Sequence, residues 1–168
     1  YGDRTHYRWY LPLVEPIQHP KVDLPVDPYL LGVLLANGSF TSSTINFTTN
    51  DGHIAERAVL SGVVTREATY AGSTARRWCL NRFNPVLESI GLKGHKSRTK
   101  FVPDIYLTAH EEARRALLAG LMDCDGSVRV NKRARYHSFS ESLSQGVATL
   151  VRSLGGVAMV DSSDRNDG

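Results

Sequence analysis

Two apolar runs punctuated by glycine dominate the hydrophobic pattern of the chain. Leu30 to Gly38 reads Leu-Leu-Gly-Val-Leu-Leu-Ala-Asn-Gly, and Leu118 to Gly126 reads Leu-Ala-Gly-Leu-Met-Asp-Cys-Asp-Gly; each continues into a serine, Ser39 or Ser127. Aligned on their glycines, the runs share leucine at the first position and glycine at the third and ninth. Both predict helices. Asp27 is placed to cap the first, and Pro28 takes the first helical position, where its missing N–H costs nothing. The spacing predicts a helix over 28–36, with Gly38 beyond its end in a left-handed conformation. Thr108-Ala109-His110-Glu111 has the spacing of a capping box and predicts a helix over 109–124, with Gly126 past its end.

Between the runs, Ile45 and Phe47 alternate with Thr44, Asn46 and Thr48, the period of a strand within 40–48. A helix over 53–64, a strand near 68–71 and a helix over 85–90 closed by Gly91 follow. After the second run, Val128 and Val130 predict one strand and residues 136–140 another. Leu143, Val147, Leu150, Val151 and Leu154 then share one helical face closed by Gly155. The order motif helix, strands, helix therefore occurs twice. Ahead of it, residues 1–26 carry Pro12, Pro16, Pro20 and Pro25 and little helical periodicity, so an extended connection is expected there. Residues 161–168 are polar and coil-like.

Composition narrows the class. At 168 residues and 41% hydrophobic content the chain can bury one good core, or two small halves packed together, and it is not disordered by composition. The apolar runs are too short to span a bilayer, no secretory leader is evident, and Cys79 and Cys124 have neither metal nor redox spacing. A reducing, cytoplasmic setting is expected. The net charge of +3 is mild, but the cations gather: Arg76, Arg77 and Arg82; Lys93, Lys96, Arg98 and Lys100; Arg129, Lys132, Arg133 and Arg135. Any one cluster could be a solvated face. Three of them interleaved with Trp78, Phe83, Tyr106 and Tyr136 point to a polyanion.

Gly32 and Gly120 each lie mid-helix, at a cost of about 1 kcal/mol against alanine. Close approach of another backbone offsets such a cost, so the two helices are expected to pack on each other about a pseudo-twofold axis. That packing would bring positions 37 and 125 together at one end. A carboxylate at a helix carboxyl end opposes the macrodipole and calls for a cation. Paired oxygen donors there suit Mg²⁺ and its retained waters. A lone Asp-Gly would read as a solvated turn; the repeat favours a site.

With these residues the chain resembles the two-motif LAGLIDADG homing endonucleases embedded in inteins. The second run departs from the family name only by Met122 and Cys124. Lys100-Phe101-Val102-Pro103, Tyr106-Leu107 and Arg115-Ala116-Leu117-Leu118 resemble the intein form of the same block, and Asp27 to Phe40 resembles the first block. The resemblance covers roughly residues 27–160. It implies a mixed α/β (α+β) fold of two αββαββα halves whose antiparallel sheets form a saddle over double-stranded DNA. It also implies Mg²⁺-dependent cleavage of both strands of a long site. The family's acidic eighth position falls on Asn37 and Asp125, which would be the metal-binding and catalytic pair. Its lysine ahead of the second motif falls on Lys100, whose implied part is to stabilise phosphorane charge or position water. Arg76, Arg77, Lys96, Arg98, Arg129, Lys132, Arg133 and Arg135 would meet DNA, with Asn46, Thr48 and Asn131 reading base edges.

On this reading residues 1–26 are a tether from an intein splicing domain, 27–107 the first half and 108–168 an incomplete second half, in a monomer that is an internal pseudo-dimer. The host protein and splicing domain are partners in cis. Three departures qualify the resemblance. Asn37 carries no charge; the second half lacks later strands and a counterpart of Lys100; no terminal nucleophile, Thr-x-x-His or His-Asn supports self-excision. Impaired cleavage is expected, and the alternative is an inactive DNA-binding or splicing-supporting module.

Overall fold

The computed structural model describes residues 13–62, 64–69, 76–128 and 133–162, the stretch 64–69 by its backbone. Helix α1 (Pro28–Asn37) is capped as its sequence predicts: Asp27 Oδ1 accepts the Leu30 amide at 2.9 Å and Pro28 opens the first turn. Every residue from Tyr29 to Leu35 is buried. A helix apolar all round is an internal helix, and α1 is the axis of the molecule.

After α1 come β1 (Gly38–Ser39), β2 (Ile45–Thr49), α2 (Gly52–Leu60), β3 (Val64–Thr69), β4 (Arg76–Leu80) and α3 (Asn84–Ser89), in the order αββαββα. The strands form one antiparallel sheet in the order β1-β2-β4-β3. Ile45, Phe47 and Leu80 turn inward to the core with Phe40, Leu87 and Leu92. A short helix, α4 (Asp104–Leu107), precedes α5 (Glu111–Asp125), which runs into the antiparallel pair β5 (Gly126–Val128) and β6 (Ala134–Tyr136) and then α6 (Glu141–Ser153). The second unit thus repeats the opening αββα of the first. Together they make a mixed α+β fold with antiparallel sheets.

Several local expectations are corrected. Gly38 and Gly126 are extended, at φ −81° and −85°, not left-handed. Each helix passes straight into its strand, and a Cβ at either glycine would collide with the carbonyl oxygen of Leu34 or Met122 four residues back. Glycine is needed there for room, not for handedness. Left-handed glycines do close α2, α3 and α6, at Gly62 (φ 78°), Gly91 (φ 73°) and Gly155 (φ 85°). The capping box does not form: His110 is the α5 N-cap without a side-chain bond, Thr108 Oγ1 donates to the Asp104 carbonyl at 3.0 Å, and Glu111 pairs with Arg115 at 2.7 Å. Phe83 and Tyr106 are core residues, 4% and 1% exposed, so they interleave with cations in sequence only. Tyr106 Oη donates to the Val26 carbonyl and accepts its amide, both at 2.9 Å. Val130 and residues 1–12 and 163–168 lie outside the described residues.

The proline-punctuated stretch 13–26 is laid against the second unit. The Ile17 amide donates to the Ser153 carbonyl at 2.9 Å. Arg114, fully buried in α5, donates through Nε to the Ala109 carbonyl at 2.8 Å, through Nη1 to Ser153 Oγ at 2.6 Å and the Ser153 carbonyl at 2.8 Å, and through Nη2 to the Ile17 carbonyl. One guanidinium therefore joins that stretch, α5 and α6. Among the described residues no helix is long and apolar enough to cross a membrane.

Candidate active site and nucleic-acid interface

Gly32 and Gly120 mark where α1 and α5 touch. A Cβ on Gly32 would lie 2.8 Å from the Leu121 nitrogen; one on Gly120 would lie 3.1 Å from the Val33 nitrogen and closer still to the Tyr29 carbonyl oxygen. The obstacles are backbone atoms, so no side-chain rotation could make room. This is the most extensive helix contact in the described fold.

The two acids of the second motif have different surroundings. Asp123 is satisfied: Tyr29 Oη donates to its Oδ2 at 2.9 Å, and Arg57 Nη1 lies 3.6 Å from the same oxygen while its guanidinium sits 3.6 Å from the Tyr29 ring centroid. Burial and the neighbouring carboxylate together push the Tyr29 hydroxyl's pKa up. This cluster ties α1, α2 and α5 together. Asp125 is half-buried, and its carboxylate has no hydrogen-bond donor or ion pair among the described residues. Burial raises its pKa, with Lys100 and His137 pulling the other way. It is a partly desolvated carboxylate.

Lys100 holds the carboxyl end of α1. It is 3% exposed, and its Nζ donates to the carbonyls of Leu35 and Gly38 at 2.8 Å and Leu34 at 3.0 Å. An ammonium has three protons, so these bonds use all of them on the carboxyl end of α1, where a cation also complements the dipole. Burial lowers its pKa to about 8, opposed chiefly by Asp125. The Lys100 carbonyl accepts Ser140 Oγ at 2.5 Å, and Ser140 caps α6. Asn37 is exposed at the end of α1.

Strand register sorts the remaining positions. In β2 and β4, Thr48 pairs with Arg77 and Asn46 with Cys79, on the face away from the buried Phe47 and Leu80. Arg76 and Arg77, adjacent in sequence, therefore point to opposite faces; Arg76 lines a cavity beside Asp51 and Trp78. Gly38 pairs with Phe47 and Gly126 with Tyr136, so continuing each register sets Thr48 opposite Asn37 and His137 opposite Asp125. The His137 amide donates to the Asp125 carbonyl at 3.3 Å. Asn46, Thr48 and Arg77 thus share the outer face of one sheet and Ser127 and Arg135 that of the other, with Asn37 and Asp125 at the helix ends that lead into them. Lys96, Arg98, Arg133 and Arg135 are exposed, and the Arg98 guanidinium lies 5.6 Å from the Phe139 ring centroid. Arg129, Asn131 and Lys132 lie outside the described residues. Cys124 packs half-buried against the core, where burial pushes its thiol up to about 12; it is a small apolar side chain there.

Sequence reasoning passed over Arg114, Arg57 and His137. The first two carry no motif signal, since their partners are backbone carbonyls or residues distant in sequence. His137 becomes visible only through register.

Two glycine-crossed helices each lead directly into an antiparallel hairpin, an arrangement that resembles the LAGLIDADG homing endonuclease fold. Residues 112–168 match the family model of the LAGLIDADG-like domain. Among solved structures the chain is similar to the homing endonuclease I-DmoI: in complex with DNA and Mn, TM-score 0.56 at 13% identity over 84% of each chain, and in mesophilic variants, TM-score 0.57 at 13% identity over 86% of this chain and 84% of that one. Among curated proteins it is 32% identical over 139 residues to the replicative DNA helicase DnaB of Mycobacterium intracellulare, matching 80% of this chain and 21% of that protein. It is 29% identical over 158 residues to the ATP-dependent DNA helicase Hel308 of Thermococcus kodakarensis, matching 83% of this chain and 14% of that protein. The chain thus spans about a fifth and a seventh of the lengths of these relatives.

Proposed function

We propose that this chain is the homing-endonuclease domain of an intein, binding a long duplex DNA site with its two outer sheet faces and retaining one competent cleavage centre, at Asp125. The observation that carries the reading is the inequality of the motif ends. Asp125 is a half-buried carboxylate without a donor among the described residues, while its counterpart is the neutral Asn37. Intein context is supported by the pattern of relatives: one segment recurs in a DnaB and a Hel308 helicase and makes up a small part of each, as an inserted element would. A cytoplasmic monomer, joined in cis to a splicing domain by residues 1–26, fits this reading.

Asp125 suits a hard cation, since Mg²⁺ keeps several waters and uses one or two carboxylates. The Asn37 amide could add an oxygen but no charge. When bound, the ion would supply charge stabilisation for phosphodiester hydrolysis. Of the chain's own groups, Arg77, Arg135 and the exposed Lys96 and Arg98 hold phosphates, while Asn46 and Thr48 offer donors and acceptors to base edges. Lys100 works from behind, holding the end of α1 and its exposed Asn37 in place.

One observation favours a second reading, a DNA-binding or splicing-supporting module without nuclease activity: the Lys100 protons are spent on α1 carbonyls, leaving none for a phosphate. Incubation with duplex spanning the uninterrupted host site, with Mg²⁺ or with EDTA, scored on a denaturing gel, separates the two. Slow metal-dependent nicking supports the endonuclease; salt-sensitive binding with no nicking supports the module; absence of binding overturns both.

A further inference from the structure

Among the described residues only one aromatic ring is exposed, and its turn is tied to both motif ends. Phe139, 71% exposed, lies between β6 and α6. On one side of it the His137 amide donates to the Asp125 carbonyl at 3.3 Å. On the other, Ser140 Oγ donates to the Lys100 carbonyl at 2.5 Å and accepts the Leu143 amide at 3.2 Å, while Ser138 Oγ accepts the Ser140 amide at 3.0 Å. Lys100 in turn holds the end of α1. A lone exposed apolar side chain is ordinary. One fixed on a turn bonded to both helix ends, beside a guanidinium, is not. The Arg98 guanidinium lies 5.6 Å from the ring centroid, within range of a cation–π contact. Lys96, Arg98 and Arg135 are exposed, and neither 93–100 nor 133–140 contains an acidic residue. The first unit is built differently: Asp51 caps α2 as Ser140 caps α6, so Asn50 takes the place of Phe139.

We propose that Phe139 is an apolar wedge that enters a base step of duplex DNA beside the Asp125 end and kinks the duplex there, with Arg98 on an adjoining phosphate. The proposal rests on the proposed function, which lays duplex DNA across the motif ends, and adds to it a residue that deforms that duplex. Apolar side chains driven between base steps unstack them and bend the helix axis. A phenyl ring has no donor or acceptor with which to read a base edge, so its selectivity is for the steps that open most easily, the pyrimidine–purine ones. A wedge must resist the push of the stack, and the bonds from Asp125, Ser138 and Lys100 brace this turn. Burying the ring between bases removes its apolar surface from water, and the guanidinium beside it gains a phosphate partner. Asn50 offers an amide instead, so the distortion belongs to one half only.

The test uses the full chain in EDTA, so that nothing is cut, and a duplex spanning the uninterrupted host site. Adenines of its central base pairs are replaced one at a time by 2-aminopurine, which brightens when it loses a stacking partner, and dyes at the two ends report bending by energy transfer. Binding of the parent chain brightens one central position and shortens the end-to-end distance. Phe139→Ala loses both signals and weakens binding about tenfold, in line with the loss of one stacking contact, without changing its salt dependence. Phe139→Leu keeps an apolar wedge and restores the bend; Asn50→Ala leaves both signals as in the parent. Arg98→Gln makes the slope of log K against log salt shallower by about 1. Phe139 is exposed, so the melting temperature of Phe139→Ala stays that of the parent. Salt-dependent binding with an equal bend in the parent and Phe139→Ala, or brightening that survives Phe139→Ala, would overturn the wedge and leave the DNA-binding reading standing. No binding by the parent chain would overturn both.

Discussion

Three charged side chains at the motif ends are distinguished by what offsets their desolvation. Asp123 has a tyrosine hydroxyl and a guanidinium, Lys100 has three carbonyls, and Asp125 has no donor among the described residues. Because unmet carbonyls cost about 1–3 kcal/mol each when buried, Lys100→Met is expected to destabilise the chain by about 2 kcal/mol at pH 7. The pH dependence has a definite sign. The folded pKa of Lys100, about 8, lies below the ordinary 10.5, so the unfolded chain holds that proton more firmly. The lysine's contribution to stability then rises with pH from about 8 to 10.5 and is flat below. Buried Cys124 and the buried tyrosines, whose pKa values are raised, pull stability the other way over the same range, so the rise is read as the difference between the native chain and Lys100→Met in denaturant titrations across pH 7 to 10.5; a difference that does not grow with pH would assign the titration to another group.

At the scale of elements, the crossing of α1 and α5 is rigid because backbone lies on backbone. Gly120→Ala has only backbone to push against and is expected to cost about 3 kcal/mol, the upper range for overpacking. Gly52→Ala, where a Cβ meets nothing within 4 Å, should stay within about 1 kcal/mol of the parent; thermal melts of the two variants compare them directly. Arg114→Met removes the joint between residues 13–26, α5 and α6, and the Ile17 amide should then exchange with solvent at least tenfold faster than in the parent. Protection of Ile17 persisting in that variant would mean the stretch is held otherwise. Much of this architecture was legible in the sequence, because its cues are local: the Asp27-Pro28 start, the mid-helix glycines, the Ile45/Phe47 alternation and the amphipathic face of α6. What stayed hidden depends on partners remote in sequence. Strand β4 was obscured by consecutive arginines that alternate faces, and Thr108 and Glu111 found other partners than each other. Asp125 and Asn37 could be picked out by their motif position, but the contrast between a paired Asp123 and an unpaired Asp125 required Tyr29 and Arg57 to be placed.

The whole molecule is two units of like order set about one helix pair, with unequal ends. If their outer faces hold duplex DNA, affinity is dominated by phosphate contacts, and log K falls linearly with log salt at about −0.9 per phosphate neutralised. Replacing Arg77 and Arg135 together should make that slope shallower by about 2, and an unchanged slope would exclude those faces as the interface. The unequal ends make the sharpest claim, that strand scission belongs to the Asp125 side alone. The direct measurement uses a duplex spanning the uninterrupted host site, each strand labelled separately, with Mg²⁺ and the parent, Asn37→Asp and Asp125→Asn chains. The account predicts slow nicking of one strand by the parent, cleavage of both by Asn37→Asp, and none by Asp125→Asn. Nicking that survives Asp125→Asn, or an Asn37→Asp chain that cuts no better than the parent, would contradict it.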